Sequence, residues 1–133
     1  MRVLRSLLVV SALVLVACGG DVEQAAPAPE EIATVGAGET IEVVGTDSLQ
    51  FSKTDITAPA GEITFELICE PAVDHDITIE YEDADDETVV VCDAGETATG
   101  SITMEPGEYV FYCSIPGHRS AGMEGMLNVV AAS

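Results

Sequence analysis

An all-β fold, a Greek-key β-sandwich of about seven to nine short strands, is the fold class that this sequence predicts. Val, Ile and Thr are abundant, whereas Trp is absent and aromatic residues are only 5%, and β-branched residues favour strands. Gly and Pro interrupt the chain at short intervals, with alternating apolar and polar residues between them. The length leaves room for about one domain with a single core once the apolar N-terminus is set aside.

Turn residues divide the first half of the folded region into strands. Pro59 and Gly61 separate an early extended segment from Glu62–Cys69, in which every second residue is apolar. Pro71 ends that strand, and a short loop then leads to His75 at the head of the next one. The strands predicted in this half are Thr40–Val44, Ser48–Phe51, Asp55–Ala58, Glu62–Cys69 and Asp76–Tyr81.

The second half shows the same alternation of turns and short apolar segments. Ala94-Gly95 and Pro106-Gly107 are typical turn pairs. The alternation after the second turn places Tyr109, Phe111 and Cys113 on one face, so Cys113 is expected at the end of the core. The strands predicted here are Glu87–Cys92, Thr97–Met104, Tyr109–Cys113 and Leu127–Ala131.

The N-terminus is typical of an export signal. Arg2 and Arg5 precede an apolar run at 7–16, so residues 1–17 are predicted to be a signal peptide. The run ends in Leu-Val-Ala-Cys18, which resembles the lipobox of prokaryotic lipoproteins. This resemblance implies lipidation of Cys18 and an exported protein, anchored to the outer face of the cytoplasmic membrane or in the periplasm. An uncleaved anchor or simple cleavage after Ala is the alternative.

Residues 18–38 are predicted to be a flexible, acidic linker, because Ala-Pro-Ala-Pro-Glu-Glu and its neighbours offer little that can pack. A linker of this length would let a lipid-anchored domain move relative to the membrane, although it could equally serve as a spacer. The folded domain is predicted at 39–133.

One loop combines three side chains that bind metals. Cys113, His118 and Met123 are separated by four residues in each gap, so that a thiolate, an imidazole and a thioether share the loop. A copper ion that cycles between Cu(I) and Cu(II) suits this mixture of ligands. A zinc site would more often contain a second Cys or a carboxylate. The candidate for a fourth ligand is His75, since the chain has only two histidines.

The run FYCSIPGHRSAGMEGML resembles the metal-binding loop of the cupredoxins, small blue-copper domains of the halocyanin, plastocyanin and sulfocyanin kind. It has the spacing Cys-x4-His-x4-Met, Pro-Gly before the His, and Gly-Met-x-Gly around the Met. The upstream His of the family is matched by His75, and the similarity covers roughly residues 39–131. The resemblance implies one copper ion held by His75, Cys113 and His118, with Met123 as the axial ligand.

The same resemblance implies an electron carrier and not an enzyme. We expect a monomer that passes single electrons between a donor and an acceptor redox protein associated with the membrane. The family places the loop His at the surface, so electrons would leave through His118. The apolar patch around it would be formed by Ile115, Pro116, Ala121 and Met123. A copper storage or delivery protein could use the same ligands and is the alternative.

Three residues near the loop need separate interpretation. Met126 competes with Met123 for the axial position, but it opens a predicted strand and is interpreted as core packing. Asp76 stands where many relatives carry an Asn that tethers the ligand loops. Arg119, beside His118, is a second departure from the family pattern and could pair with an acidic neighbour.

Two cysteines remain after Cys18 and Cys113 are assigned. Export would place the chain in an oxidising compartment, so a disulfide between Cys69 and Cys92 is our hypothesis. Such a bridge would stabilise the fold by about 3 kcal/mol. Two buried free thiols are the alternative.

The chain is strongly acidic, with 24 acidic and 4 basic residues. Removal of Arg2 and Arg5 with the signal peptide would leave only Lys53 and Arg119 as basic residues. Such a charge excludes nucleic acid as a partner. Two interpretations stay open: the acidic run 80–87 steers docking to a basic redox partner, or the acidity reflects a high-salt habitat that screens self-repulsion.

Overall fold

Two β-sheets enclose one apolar core in the computed structural model, which describes residues 32–132. The prediction of an all-β sandwich with seven to nine strands is confirmed. The strands are β1 Ile32–Thr34, β2 Thr40–Gly45, β3 Asp55–Pro59, β4 Gly61–Cys69, β5 His75–Glu80, β6 Glu87–Cys92, β7 Thr97–Met104, β8 Gly107–Tyr112 and β9 Glu124–Val130. The described range includes no α-helix, and hence no helix long and apolar enough to cross a membrane.

The order of the strands brings distant parts of the chain together. The larger sheet has the order β1-β3-β9-β8-β5-β6, and the smaller sheet has the order β2-β4-β7. Three pairs are parallel, β1 with β3, β2 with β4 and β3 with β9, and the other named pairs are antiparallel. Most neighbours in a sheet are therefore not consecutive in the chain, as in Greek-key connections.

Alternating burial along the strands builds the core. In β4, the residues predicted to face inward, Ile63, Phe65, Leu67 and Cys69, are all buried. In the opposite sheet Phe111 is fully buried, and its ring lies 5.4 Å from that of Phe51, between centroids. Burial of this apolar surface is the main favourable contribution to folding.

The segment predicted as a strand at Ser48–Phe51 is a turn. Phe51 makes only an isolated bridge to Gly45, and Leu49 has a left-handed φ of 60°. The hydroxyl of Thr46 donates to the carbonyl of Gln50 and accepts from its N–H. Local side-chain bonds of this kind compete with strand pairing, which explains why the prediction was wrong.

Strand β1 lies within the segment 18–38 for which a flexible linker is predicted. It pairs in parallel with β3, and Ala33 and Val35 pack against the core. Ordered structure is thus present before residue 39, because these apolar residues extend the larger sheet at its edge. The signal peptide, Cys18 and residues 19–31 lie outside the described residues and stay predictions.

Candidate metal centre

The predicted ligands come from two places in the chain that the larger sheet brings to one end. His75 is the first residue of β5, and Cys113 directly follows β8, which pairs with β5. His118 and Met123 belong to the loop between β8 and β9. The ligand atoms of His75, Cys113 and His118 all lie within 4.8 Å of one another. The fold therefore assembles the cluster that the loop motif predicts.

The candidate ligands are shielded from solvent to different degrees. His75, Cys113 and Met123 have no exposed surface, whereas 8% of the surface of His118 is exposed. The rings of the two histidines meet edge to face, with 5.2 Å between their centroids. His118 is thus the ligand through which the cluster reaches the surface.

The ring of His75 lacks the hydrogen-bond partners that a buried polar group normally has. Both ring nitrogens of His75 are buried and make no hydrogen bond, and a buried polar atom without a partner is costly. The sulfur of Cys113 lies 3.3 Å from Nδ1 of His118. A metal ion would satisfy these atoms, and one thiolate with two imidazoles suits copper.

Burial sets the protonation of the ligands in the absence of metal. It lowers the pKa of His75, and the nearby His118 lowers this pKa further. Burial also raises the pKa of Cys113, although backbone N–H groups of Asp76 and Ile115 oppose the rise. His75 is therefore ready to bind as a neutral imidazole, whereas Cys113 must release a proton when a metal binds.

Backbone hydrogen bonds hold Met123 beside two other ligands. The N–H of Cys113 donates to the carbonyl of Met123, and the N–H of Met123 donates to the carbonyl of His118, both at 3.1 Å. Met126, by contrast, lies on the outer face of β9 with 43% of its surface exposed. The prediction that Met126 packs in the core was therefore wrong, and only Met123 is buried with the cluster.

Glycine conformations shape the ligand loop. Gly117 and Gly122 have φ values of 92° and 105°, in the left-handed region that favours glycine. Between them lies a 3₁₀ turn at Arg119–Ala121. The two glycines thus reverse the chain on either side of the turn, which brings Met123 back towards Cys113.

Asp76 ties the two ligand segments together. Its carboxylate accepts hydrogen bonds from the N–H and the hydroxyl of Ser114, at 2.8 and 2.7 Å. Its own N–H donates to the sulfur of Cys113 at 3.4 Å. Asp76 thus performs the tethering expected of the Asn in relatives. Ser114 was missed by sequence reasoning, since a single Ser in a loop carries no signal of such a role.

Gly45 is a second residue that sequence reasoning missed. It ends β2 in the smaller sheet, and its α-carbon faces the ring of His75. A β-carbon at this position would lie 2.5 Å from Cδ2 of His75. Glycine is therefore the only residue type that, at position 45, leaves room for this ring without a shift of the structure.

Arg119 pairs with acidic residues on both sides of the loop. Its guanidinium forms ion pairs with Glu80 at 2.6 Å and with Glu124 at 2.9 Å. It also lies over the ring of Tyr112, 4.3 Å from the centroid. The hydroxyl of Tyr112 in turn donates to Asp86, which raises the pKa of Tyr112 to about 12. Exposed ion pairs contribute little stability. Together these contacts nevertheless fix the position of Arg119, which directly follows His118 in the chain.

Cys69 and Cys92 are joined in a disulfide in the structure, with 6.1 Å between their α-carbons. The bond links β4 in the smaller sheet to β6 in the larger one. Cys92 is also the residue paired with His75 across β5 and β6. The bridge thus lies next to the cluster, and within the described range Cys113 is the remaining free cysteine.

Comparisons with known proteins agree with this geometry. A family model described as copper binding proteins, plastocyanin/azurin family, matches residues 34–130. Auracyanin A, a blue copper protein of Chloroflexus aurantiacus, is 21% identical, with a TM-score of 0.60 over 74% of this chain and 100% of that one. Auracyanin B is 21% identical, with a TM-score of 0.59 over 70% and 89%.

A third solved structure is the dithionite-reduced auracyanin of Roseiflexus castenholzii. It is 26% identical to this chain, with a TM-score of 0.54, and the match covers 68% of this chain and 96% of that one. None of the curated proteins compared with the chain matches it. The structural likenesses agree with the observed fold over about seven tenths of the chain, and the family match spans residues 34–130.

Proposed function

This chain belongs to the plastocyanin/azurin family of copper binding proteins, and we propose that it shuttles single electrons between redox proteins at the outer face of a membrane. The observation that carries the proposal is the buried cluster of His75, Cys113 and His118, in which both nitrogens of His75 lack partners. One copper ion is the cofactor that this cluster and the family indicate. The family consists of electron carriers, which supports a carrier and not an enzyme.

The protein's part in this function is to hold its ligands in a fixed, dry arrangement. Bound copper would supply one-electron chemistry between Cu(I) and Cu(II). Water cannot reach three of the candidate ligands, because Met123, Cys113 and His75 have no exposed surface. The bonds of Asp76 to Ser114 and of Cys113 to Met123 keep the two ligand segments in place. A frame that does not move between oxidation states allows rapid electron transfer.

We propose that electrons enter and leave through His118. It is the one candidate ligand with exposed surface. Pro116 and Ala121 around it are exposed, and Ile115 is partly exposed, which supports an apolar docking patch. Met123 was expected in this patch, but it is fully buried and contributes nothing to the surface.

The partners we propose are a donor and an acceptor protein with basic surfaces. The acidic run 80–87 lies beside the ligand loop, since Glu80 pairs with Arg119 and Asp86 accepts from Tyr112. Negative charge at this position would steer a basic partner towards the docking patch. A monomer is sufficient for this role, because all four candidate ligands come from one chain.

We further propose that the protein is exported and held at the membrane by lipid on Cys18. Support comes from the sequence, in which Arg2 and Arg5 precede an apolar run that ends in a lipobox-like segment. Two or more acyl chains would give a stable anchor. The residues between Cys18 and β1 would then act as a tether for the domain.

The burial of the ligands disfavours copper storage or delivery. Transfer of a metal to another protein requires that the receiving ligands reach it, whereas three of the four residues here are fully buried. A delivery protein would expose its sulfur ligands. Electron transfer needs no such access, because it can proceed through the ring of His118.

The visible spectrum of the full chain with one equivalent of Cu(II) tests the proposed function. We expect an intense blue or green band from thiolate-to-copper charge transfer, bleached by ascorbate and restored by reoxidation. The band should vanish in Cys113→Ser and persist in Met126→Leu, which leaves the cluster intact. A colourless protein that still binds copper would support storage or delivery instead, and absence of copper binding would contradict both functions.

A further inference from the structure

Asp76 is a carboxylate buried directly behind the candidate metal ligands. Only 4% of its surface is exposed, and it follows His75 in β5. Its N–H lies 3.4 Å from the sulfur of Cys113. The residue is therefore adjacent to two ligands at once, one through the chain and the other through a hydrogen bond.

Both carboxylate oxygens of Asp76 accept hydrogen bonds from neutral groups. Oδ1 accepts from the N–H of Ser114 at 2.8 Å and from the hydroxyl of Thr78 at 3.0 Å. Oδ2 accepts from the hydroxyl of Ser114 at 2.7 Å. These three hydrogen bonds involve both oxygens of the carboxylate and hold it in place behind the ligands.

No cation offsets this carboxylate within residues 32–132. The two ion pairs there, both made by Arg119, involve Glu80 and Glu124. Lys53, the other basic residue of the folded part, donates to the carbonyl of Glu42. The negative charge of Asp76 therefore acts on its surroundings without an ionic partner, and burial keeps solvent from screening it fully.

We propose that Asp76 tunes the copper centre by its charge: it favours Cu(II) over Cu(I) and so lowers the reduction potential. The inference rests on the proposed electron-transfer function, which it deepens. A fixed negative charge stabilises the more positive of two oxidation states. Groups behind the ligands are known to adjust a metal's properties in this way. Asp76 is thus a positioning residue that also sets the balance between the oxidation states.

The tether and the charge can be separated by substitution. Asp76→Asn keeps the shape of the side chain and an oxygen that can accept from Ser114, but it removes the charge. Ser114→Ala keeps the charge and removes one of the three donors that disperse it. If charge is what matters, the two variants shift the potential in opposite directions. A role confined to tethering predicts little change in Asp76→Asn, which keeps an oxygen for Ser114, and a shift only in Ser114→Ala.

The test measures the affinities of the full chain for Cu(I) and Cu(II) separately, by chelator competition, together with the reduction potential. We expect Asp76→Asn to raise the ratio of Cu(I) to Cu(II) affinity about tenfold, which corresponds to about 59 mV for a one-electron couple. Ser114→Ala should lower this ratio. An unchanged or lowered ratio in Asp76→Asn would overturn the proposal.

Two controls keep the outcome decisive. If Asp76→Asn does not fold, Ser114→Ala decides: a fall in the ratio supports the proposal, and an unchanged or raised ratio overturns it. The visible band of the unsubstituted chain reports separately on the proposed function. If the unsubstituted protein is blue but Asp76→Asn leaves the ratio of Cu(I) to Cu(II) affinity unchanged, only the tuning role is rejected. If the unsubstituted protein is colourless, the electron-transfer function is rejected.

Discussion

The α-carbon of Gly45 faces the ring of His75 so closely that a β-carbon there would lie 2.5 Å from Cδ2 and 2.8 Å from Cγ. Gly45 ends a strand of the smaller sheet, whereas His75 begins a strand of the larger one. The position of the most distant ligand in the sequence is therefore set by contact between the two sheets. This contact makes Gly45 part of the metal centre, although it supplies no ligand atom.

Gly45→Ala is expected to weaken copper binding. The added methyl group must displace the ring of His75, because the atoms it meets belong to a buried ring that cannot turn away. We expect at least about a tenfold loss of Cu(II) affinity, in line with substitutions around metal ligands. Competition with a chelator measures this loss, and the visible band should shift.

Gly36→Ala is the matched control for this substitution. There the nearest atom to an added β-carbon is Oε2 of Glu39 at 3.1 Å, the end of an exposed and flexible side chain. This variant should bind copper as the unsubstituted chain does. Equal affinities for both alanine variants would show that His75 does not depend on the space at Gly45.

Replacement of the two methionines should have unequal effects. Met123→Leu removes a fully buried thioether from a residue whose backbone bonds to Cys113 and His118, so the reduction potential should rise with loss of the weak sulfur donor that the ligand loop predicts. Met126→Leu alters an exposed side chain on β9 and should leave the potential unchanged. Both are conservative in volume and should cost less than about 1.5 kcal/mol in stability. Voltammetry of the two variants distinguishes them, and a shift confined to Met126→Leu would reject Met123 as the axial ligand.

Loss of the predicted disulfide should destabilise the fold. Cys69 and Cys92 are separated by 23 residues, and closing a loop of this length is worth about 3 kcal/mol. The double variant Cys69→Ala/Cys92→Ala should therefore unfold at lower denaturant concentration than the oxidised chain. Because Cys92 pairs with His75 across two strands, copper affinity should fall as well.

Thiol counting tests the same bridge without substitution. The metal-free chain, unfolded without reductant, should react at Cys113 and not at the other two cysteines of the folded part. Two additional reactive thiols would rule out the bridge and leave Cys69 and Cys92 as buried free cysteines.

Cys18→Ala should release the mature protein from the membrane. The lipobox-like segment predicts that the sulfur of Cys18 carries lipid and that residues 1–17 are removed. The variant should lose both the lipid mass and the association with the membrane fraction, since no acyl chain would remain to hold it. Mass spectrometry and fractionation measure these two properties. If both are the same in the variant and the unsubstituted chain, the lipid anchor is excluded.

Much of the metal centre could be predicted because three of its four candidate ligands lie close together in the sequence. Cys113, His118 and Met123 lie on one loop, where their spacing and the flanking glycines suffice to identify a copper ligand set. His75 followed because the chain has only one other histidine. The strand alternation of Glu62–Cys69 was likewise confirmed, since a strand that faces a core alternates with a period of two.

The errors arose where local pattern does not decide the outcome. Ser48–Phe51 has residues that suit a strand, but hydrogen bonds of Thr46 close it into a turn. Met126 was expected in the core because it is apolar and opens a strand. The strand actually begins at Glu124, and its register directs Met126 outward and Leu127 inward. A shift of one residue reverses the face of every side chain in a strand.

The sequence by itself determined the fold class, the candidate copper ligands and the strongly acidic surface, because these depend on composition, on short-range alternation and on the spacing within one loop. Only the tertiary structure decided what surrounds the ligands: the space that Gly45 leaves for His75, the hydrogen bonds of Asp76 to Ser114, and the ion pairs of Arg119. Each of these joins residues from different strands or sheets. Such contacts arise from the packing of distant segments, and no local pattern records which segments will meet.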